Sequence, residues 1–212
     1  MLHSLYLLRI PKYLSMSDIW GIVLAAGESK RMKEQKLILP FNGKPMIESV
    51  VENIAGTSVD KILLVVGSHS DEILKATTHL PVSHCYNDNY KQGMLSSVKC
   101  GIRALPESYG AVMIFLGDQP LIPVKVVNLV IGAYRKSDKG IVMPTFDKRR
   151  GHPLLIDRKY REEIENLDER EGLRILAYKF ADDVLEVETN MPGILRDIDT
   201  REEYLNAIKS YP

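Results

Sequence analysis

Short, almost uninterrupted apolar runs alternate along the chain with longer amphipathic stretches. The runs fall at residues 21–24, 61–66, 82–86, 111–116, 141–143 and 184–187. Apolarity that does not alternate predicts strands covered on both faces, as in a parallel sheet, rather than strands with one wet side. Between them, apolar residues at helical spacing predict helices over 46–55, 71–77, 95–104, 123–136, 158–166, 173–180 and 201–210. Residues 124–134 are apolar nearly all round, which predicts a helix packed on two sides. Strand and helix in regular alternation imply an α/β chain, three layers thick, with a mostly parallel sheet between two layers of helices. No Pro/Gly/Ser-rich linker, low-complexity tract or internal repeat interrupts residues 18–212, so they are read as one domain.

The first strand leads into the most informative segment, GIVLAAGESKRMKEQK at residues 21–36. Its apolar run ends at Leu24 and passes through Ala25, Ala26 and Gly27 to Ser29, Lys30, Arg31 and Lys36. Small residues let a backbone approach a ligand closely, inward N–H groups form an anion nest, and cations suit a polyphosphate. Neither G-x-x-x-x-G-K-[ST] nor G-x-G-x-x-G is present, so the segment is not a P-loop or a dinucleotide fingerprint. A turn with a solvated basic face is the plain alternative.

In a parallel sheet the ligand sits beyond the carboxyl ends of the strands. The turns at 69–71, 87–93 and 117–120 follow strands and emerge on the same edge as the basic loop. Asp118, in GDQP between Gly117 and Gln119, sets a carboxylate opposite a polyphosphate, which makes sense if Mg²⁺ lies between them. A turn-forming aspartate is the alternative there. Near the C-terminus, RDIDT offers Asp197 and Asp199. Asp199 or Thr200 suits an N-cap, with Glu203 completing a capping box on Thr200, so Asp197 is the better metal candidate. Gly93 opens a helix on which Ser96 or Ser97 suits a cap, a base edge or a phosphate. His152, held before Pro153, suits a general base or a substrate contact.

Composition narrows the partners. Lys+Arg and Asp+Glu both number 28 among 212 residues, so no long-range field draws nucleic acid or an acidic membrane, and anion binding must be local. Cys85 and Cys100 have neither disulfide-framework nor zinc spacing and read as small core residues in a reducing, cytoplasmic setting. The first 17 residues have no basic n-region before their apolar run, which is too short to span a bilayer, so they are expected to be an extension, with Met16 or a nearby codon as the functional start.

Five motifs in order carry a family resemblance: LAAGESKRM with Lys36, QGMLSSVKCGI, LGDQPLIP, RGHPLLI and RDIDTREEY. Together, from about Ile19 to Tyr204, they resemble the MobA/MocA-type nucleotidyltransferases, in particular the molybdenum cofactor cytidylyltransferases. Two departures stand out: Lys33 where the family has glycine, and a segment at 168–174 that keeps Gly172 and Arg174 but not the leading Gly-Asp. The resemblance implies a Rossmann-like, GT-A-like nucleotide-diphospho-sugar transferase fold. It implies transfer of CMP from CTP to a phosphorylated, molybdopterin-type acceptor, with pyrophosphate released and Mg²⁺ as cofactor. In that picture Leu24, Ala25, Ala26, Gly27, Gly93, Ser97 and Gly117 border the nucleotide, and Arg31, Lys36 and Asp118 carry the chemistry. Asp118, Asp197 and Asp199 hold metal, while Gln119 and His152 face the acceptor. A molybdoenzyme apoprotein of the xanthine dehydrogenase type is the implied recipient. A transferase acting on a sugar phosphate or other small phosphoester, and a non-catalytic cofactor-binding accessory protein, remain as alternatives.

Overall fold

The computed structural model describes residues 18–32 and 34–210; the N-terminal stretch 1–17 and Lys33 lie outside the described residues. Among the described residues the strands are β1 (Ile19–Ala25), β2 (Pro40–Phe41), β3 (Lys44–Pro45), β4 (Lys61–Val66), β5 (Ser83–Tyr86), β6 (Ala111–Leu116), β7 (Ile141–Phe146), β8 (Arg149–Arg150), β9 (Leu154–Asp157) and β10 (Val184–Glu188). The helices are α1 (Met46–Ala55), α2 (Ser70–Thr77), α3 (Met94–Ala104), α4 (Val124–Lys136), α5 (Arg161–Glu165), α6 (Ile175–Lys179) and α7 (Arg201–Ser210).

The main sheet runs β10-β7-β9-β6-β1-β4-β5, with β8 paired to β7. The expected parallel core is present: β1 is parallel to both β4 and β6, β4 to β5, and β10 to β7. Strand parity sends alternate residues into two apolar layers. Val23, Leu64, Met113 and Phe115 pack with α1, α2 and α4, whereas Ile22, Leu63, Val65 and Ile114 pack with α3, α5 and α6. Burial on both faces is why these strands read as continuous apolar runs. Close helix–sheet approach is marked at Gly101 in α3, where an added Cβ would lie 2.9 Å from Ile22 Cγ2 and 3.0 Å from Val65 Cγ2. Gly101→Ala is therefore expected to overpack this layer and lower stability by about 1–3 kcal/mol, read from denaturant unfolding; an unchanged midpoint would show that α3 can lift off the sheet at little cost.

Several expectations need correction. β9 was not foreseen: it inserts antiparallel between β6 and β7, making the sheet mixed. The expected helix over 158–166 is a 3-10 turn (Arg158–Tyr160) followed by the short α5, and the one over 173–180 shrinks to α6. Helix α4 is covered on one face rather than two. Val126, Val127, Val130, Ile131 and Tyr134 are buried, but Leu129 is 46% exposed. Neither Ser96 nor Ser97 caps α3; its N-cap is Gly93, at φ +113°, a conformation that favours glycine. Cys85 and Cys100 are free thiols, 3.8 Å apart.

Candidate active site

Order within the sheet determines where a ligand can enter. From β1 the chain winds outward through β4 and β5, then returns by way of α3 to β6 on the other side of β1. The loops leaving β1 and β6 therefore diverge, and a crevice opens between them at the strands' carboxyl ends. A cleft of about 580 Å³ occupies this place. Its walls include Leu24, Ala26, Gly27, Arg31 and Lys36 from the first loop and Asp118 from the second. Gly93 and Ser97 at the start of α3 close one side, and Asp197 and Asp199 close another.

The basic loop is held by its own polar side chains. Ser29, at φ +52°, donates from Oγ to Gln35 Oε1 at 2.8 Å and accepts from the Lys36 N–H at 3.2 Å. Gln35 is only 5% exposed; its Oε1 also accepts from the Leu37 N–H, and its Nε2 donates to the Gly27 carbonyl. Gln35 was missed in the sequence because it braces the loop without carrying charge into the cleft. Its one signal was an uncharged polar residue between the charged Glu34 and Lys36. A Cβ built on Gly27 meets nothing within 4 Å, so this glycine borders open space in the cleft.

Asn87, another residue missed, fixes the opposite wall. Its side chain is buried and donates to Ser96 Oγ and Ser97 Oγ, both at 2.9 Å, while its Oδ1 accepts from the Asn89 N–H. Ser96 donates onward to the carbonyls of Asn89 and Gly93. These bonds tie the loop before α3 to the first turn of the helix.

Charge is concentrated between the two switch-point loops. Lys36 Nζ lies 2.5 Å from Asp118 Oδ2 and 2.7 Å from Asp199 Oδ1, and Arg31 Nη1 bonds Asp199 Oδ2. Burial pushes the Asp118 carboxyl above its usual range, with the Lys36 ammonium opposing. Burial also acts on Asp199, but its bonds to Lys36 and the nearby Arg31 outweigh it and hold that carboxyl low. For Lys36, burial alone would lower the ammonium; Asp118 and Asp199 reverse this and raise it. Asp118 Oδ1 is buried with no hydrogen-bond partner.

The C-terminal segment is docked onto this centre. Ile198 N–H donates to the Asp118 carbonyl, and Gln119 Nε2 donates to Asp197 Oδ1. The capping box forms on Thr200 as expected: Glu203 accepts from the Asp199 and Thr200 N–H groups, and Thr200 Oγ1 accepts from the Glu203 N–H. Because Thr200 serves the helix, the Asp199 carboxylate is left to face Lys36 and Arg31.

Four predicted residues do not line the cleft. Ala25 is 1% exposed and belongs with Val23 to the layer under α1 and α4, the opposite side from Leu24. Gly117 is packed against the Leu24 carbonyl, Ile47 and Leu37, where an added Cβ would lie only 3.0–3.3 Å from them, so it lets the chain pass close to β1. Gln119, 3% exposed, meets the site only through Asp197. His152 donates its N–H to the Ile194 carbonyl and sits behind Asp197; burial lowers its imidazole, with Asp197 pulling the other way.

The chain has relatives among known proteins. A family model, the MobA-like NTP transferase domain, matches residues 21–184. The chain belongs to that family. It is a nucleotidyltransferase in the MobA-like group. The molybdenum cofactor cytidylyltransferase of Escherichia coli (strain K12) is 26% identical over 203 residues, covering 92% of this chain and 98% of the relative. The bifunctional protein GlmU of Clostridium kluyveri is 28% identical over 194 residues, covering 90% of this chain, which spans 41% of GlmU's length. Among solved structures, Rv0371c of Mycobacterium tuberculosis H37Rv superposes with a TM-score of 0.80 at 21% identity, covering 92% of this chain and 98% of that one. The same protein's complex with manganese gives a TM-score of 0.76 at 21% identity, covering 92% and 100%. These likenesses place the MobA-like chain in the nucleotide-diphospho-sugar transferase-like fold expected from its sequence. Among the described residues, no helix is long and apolar enough to cross a membrane.

Proposed function

We propose that this nucleotidyltransferase moves CMP from CTP onto the phosphate of a molybdopterin-type acceptor and releases pyrophosphate. The observation that carries the reading is the meeting of Lys36, Arg31, Asp118 and Asp199 in one ionic cluster at the switch-point cleft. Family membership and the molybdenum cofactor cytidylyltransferase relative favour this acceptor class.

A buried carboxylate oxygen without a partner on Asp118, with Asp199 joined to Asp118 through Lys36 and Asp197 on the same wall as Asp199, offers the hard oxygen donors that suit magnesium. Asp118 and Asp199 would hold the ion, with Asp197 beside them. When bound, it would neutralise charge on phosphate oxygens. Lys36 and Arg31 stabilise charge at the α-phosphate and on the departing pyrophosphate. Backbone at Ala26 and Gly27, where the cleft is open, accommodates the phosphates closely. Gly93 and Ser97, on the wall braced by Asn87, border the nucleoside. Positioning supplies most of the remaining rate. The attacking group is a phosphate monoester, whose second pKa of about 6 leaves it ionised at neutral pH, so no side chain has to remove a proton. His152, which does not line the cleft, takes no proton in this scheme. A molybdoenzyme apoprotein would take the product.

A sugar phosphate or other small phosphoester is the second reading, favoured by the GlmU relative. Thermal shift with each of the four nucleoside triphosphates, with and without Mg²⁺, tests the donor. Pyrophosphate release with molybdenum cofactor or sugar phosphates then tests the acceptor. Protection by CTP and release with the cofactor are expected; protection by UTP and turnover of a sugar phosphate would replace the first reading by the second.

A further inference from the structure

This inference rests on the reading that Asp118 and Asp199 hold a divalent cation. Both side chains assigned to the triphosphate are already engaged with those carboxylates. Lys36 Nζ touches one oxygen of each, and Arg31 takes the second oxygen of Asp199. Two positive and two negative side chains cancel, and Lys36 sits where a cation shared by the two carboxylates would sit. Its side chain is only 12% exposed, so water contributes little to its charge.

We propose that Lys36 is an exchangeable counter-ion: it holds the carboxylate pair until a divalent cation and a nucleoside triphosphate arrive together, and then moves with Arg31 onto phosphate oxygens. Neither ligand is well served alone. A dication entering by itself would leave the Lys36 ammonium stranded beside it in a poorly solvated place. A triphosphate entering by itself would face two carboxylates and draw on cations already bonded. When both enter, every charge finds a new partner: ammonium and guanidinium on phosphate, dication on carboxylate. The flexible four-carbon stem and point charge of lysine suit such a transfer. Arg31, 73% exposed in its side chain, can follow at little desolvation cost. The resulting coupling is reciprocal, since each ligand prepares the site for the other.

The discriminating measurements use one ligand at a time. Mn²⁺ without nucleotide is titrated by electron paramagnetic resonance against the full-length protein, Lys36→Met and Asp118→Asn; CTP in excess EDTA is titrated by calorimetry against the parent and Asp199→Asn. Lys36→Met is expected to bind Mn²⁺ at least about fivefold tighter than the parent, because its competitor is gone. Asp199→Asn is expected to bind metal-free CTP at least about fivefold tighter, because Lys36 and Arg31 are released toward phosphate. Should Lys36→Met prove unfolded by circular dichroism, Lys36→Gln takes its place, and the Asp199→Asn arm stands by itself. Unchanged or weaker Mn²⁺ binding by the Lys36 variant, while Asp118→Asn abolishes it, overturns the exchange and leaves the metal reading intact. Mn²⁺ binding that survives Asp118→Asn unchanged overturns the metal reading and the exchange with it.

Discussion

Asp118→Ala is expected to lower turnover by about 10²–10³-fold while the protein stays folded, the range found when one preorganised charge contact is removed. The reason is positional. Asp118 follows β6 directly, Gly117 lets the chain pass close to the Leu24 carbonyl, and the Asp118 carbonyl anchors Ile198. The substitution removes the carboxylate and leaves those backbone contacts in place. Lys36 keeps Asp199 as a partner, so the loss falls on catalysis rather than on folding. Initial rates of pyrophosphate release, with circular dichroism as the folding control, measure it. Turnover within about threefold of the parent would remove Asp118 from the machinery.

The second large effect is that of Lys36→Ala. Turnover is expected to fall by at least about 10²-fold, for the same electrostatic reason. Unlike Asp118→Ala, this change should also weaken the fold, because it leaves a buried carboxylate without its ammonium. A cost of about 1–3 kcal/mol is expected. The pH dependence has a definite sign. Burial already raises the Asp118 carboxyl, and the substitution removes the ammonium that opposes that push. An acid whose folded pKa lies above its unfolded one binds more protons in the native state, so stability falls as pH rises through the folded pKa. The variant should therefore recover part of its loss toward acid pH, where the buried carboxyl is neutral. Denaturant midpoints for parent and variant at pH 5 and pH 8 decide it; a gap that does not narrow at pH 5 would show that Asp118 finds another partner.

The parts of this architecture that were legible in the sequence are those whose environment is uniform. β1, β4 and β6 are covered on both faces, so each is a plain apolar run that no helix pattern imitates. β9 is different: four residues, Leu154–Asp157, follow a proline and run antiparallel in the middle of the sheet, and no local spacing distinguishes them from a loop. The cleft was legible because strand ends place ligands, which brought the Gly27 loop and Asp118 together in advance. Which alanine faces the cleft was also written in the chain, in the alternation of β1: Ala25 shares the parity of Val23 and must point with it into the core. The roles of Gln35 and Asn87 were not legible, because each depends on hydrogen bonds to a loop whose shape the sequence does not display.

The docking of the C-terminal segment has a consequence for synthesis. Residues 21–184 carry the family match, yet Asp197 and Asp199 lie beyond it; Asp199 reaches back to Lys36 and Arg31 near the beginning of the chain, and Asp197 to Gln119 after β6. A nascent chain carrying residues 19–157, which include β1 through β9, already contains Arg31 and Lys36 but not yet the Asp199 carboxylate they share. The ionic balance of the cleft closes only once residues 197–199 have emerged, so translation of the segments before them leaves this centre unfinished.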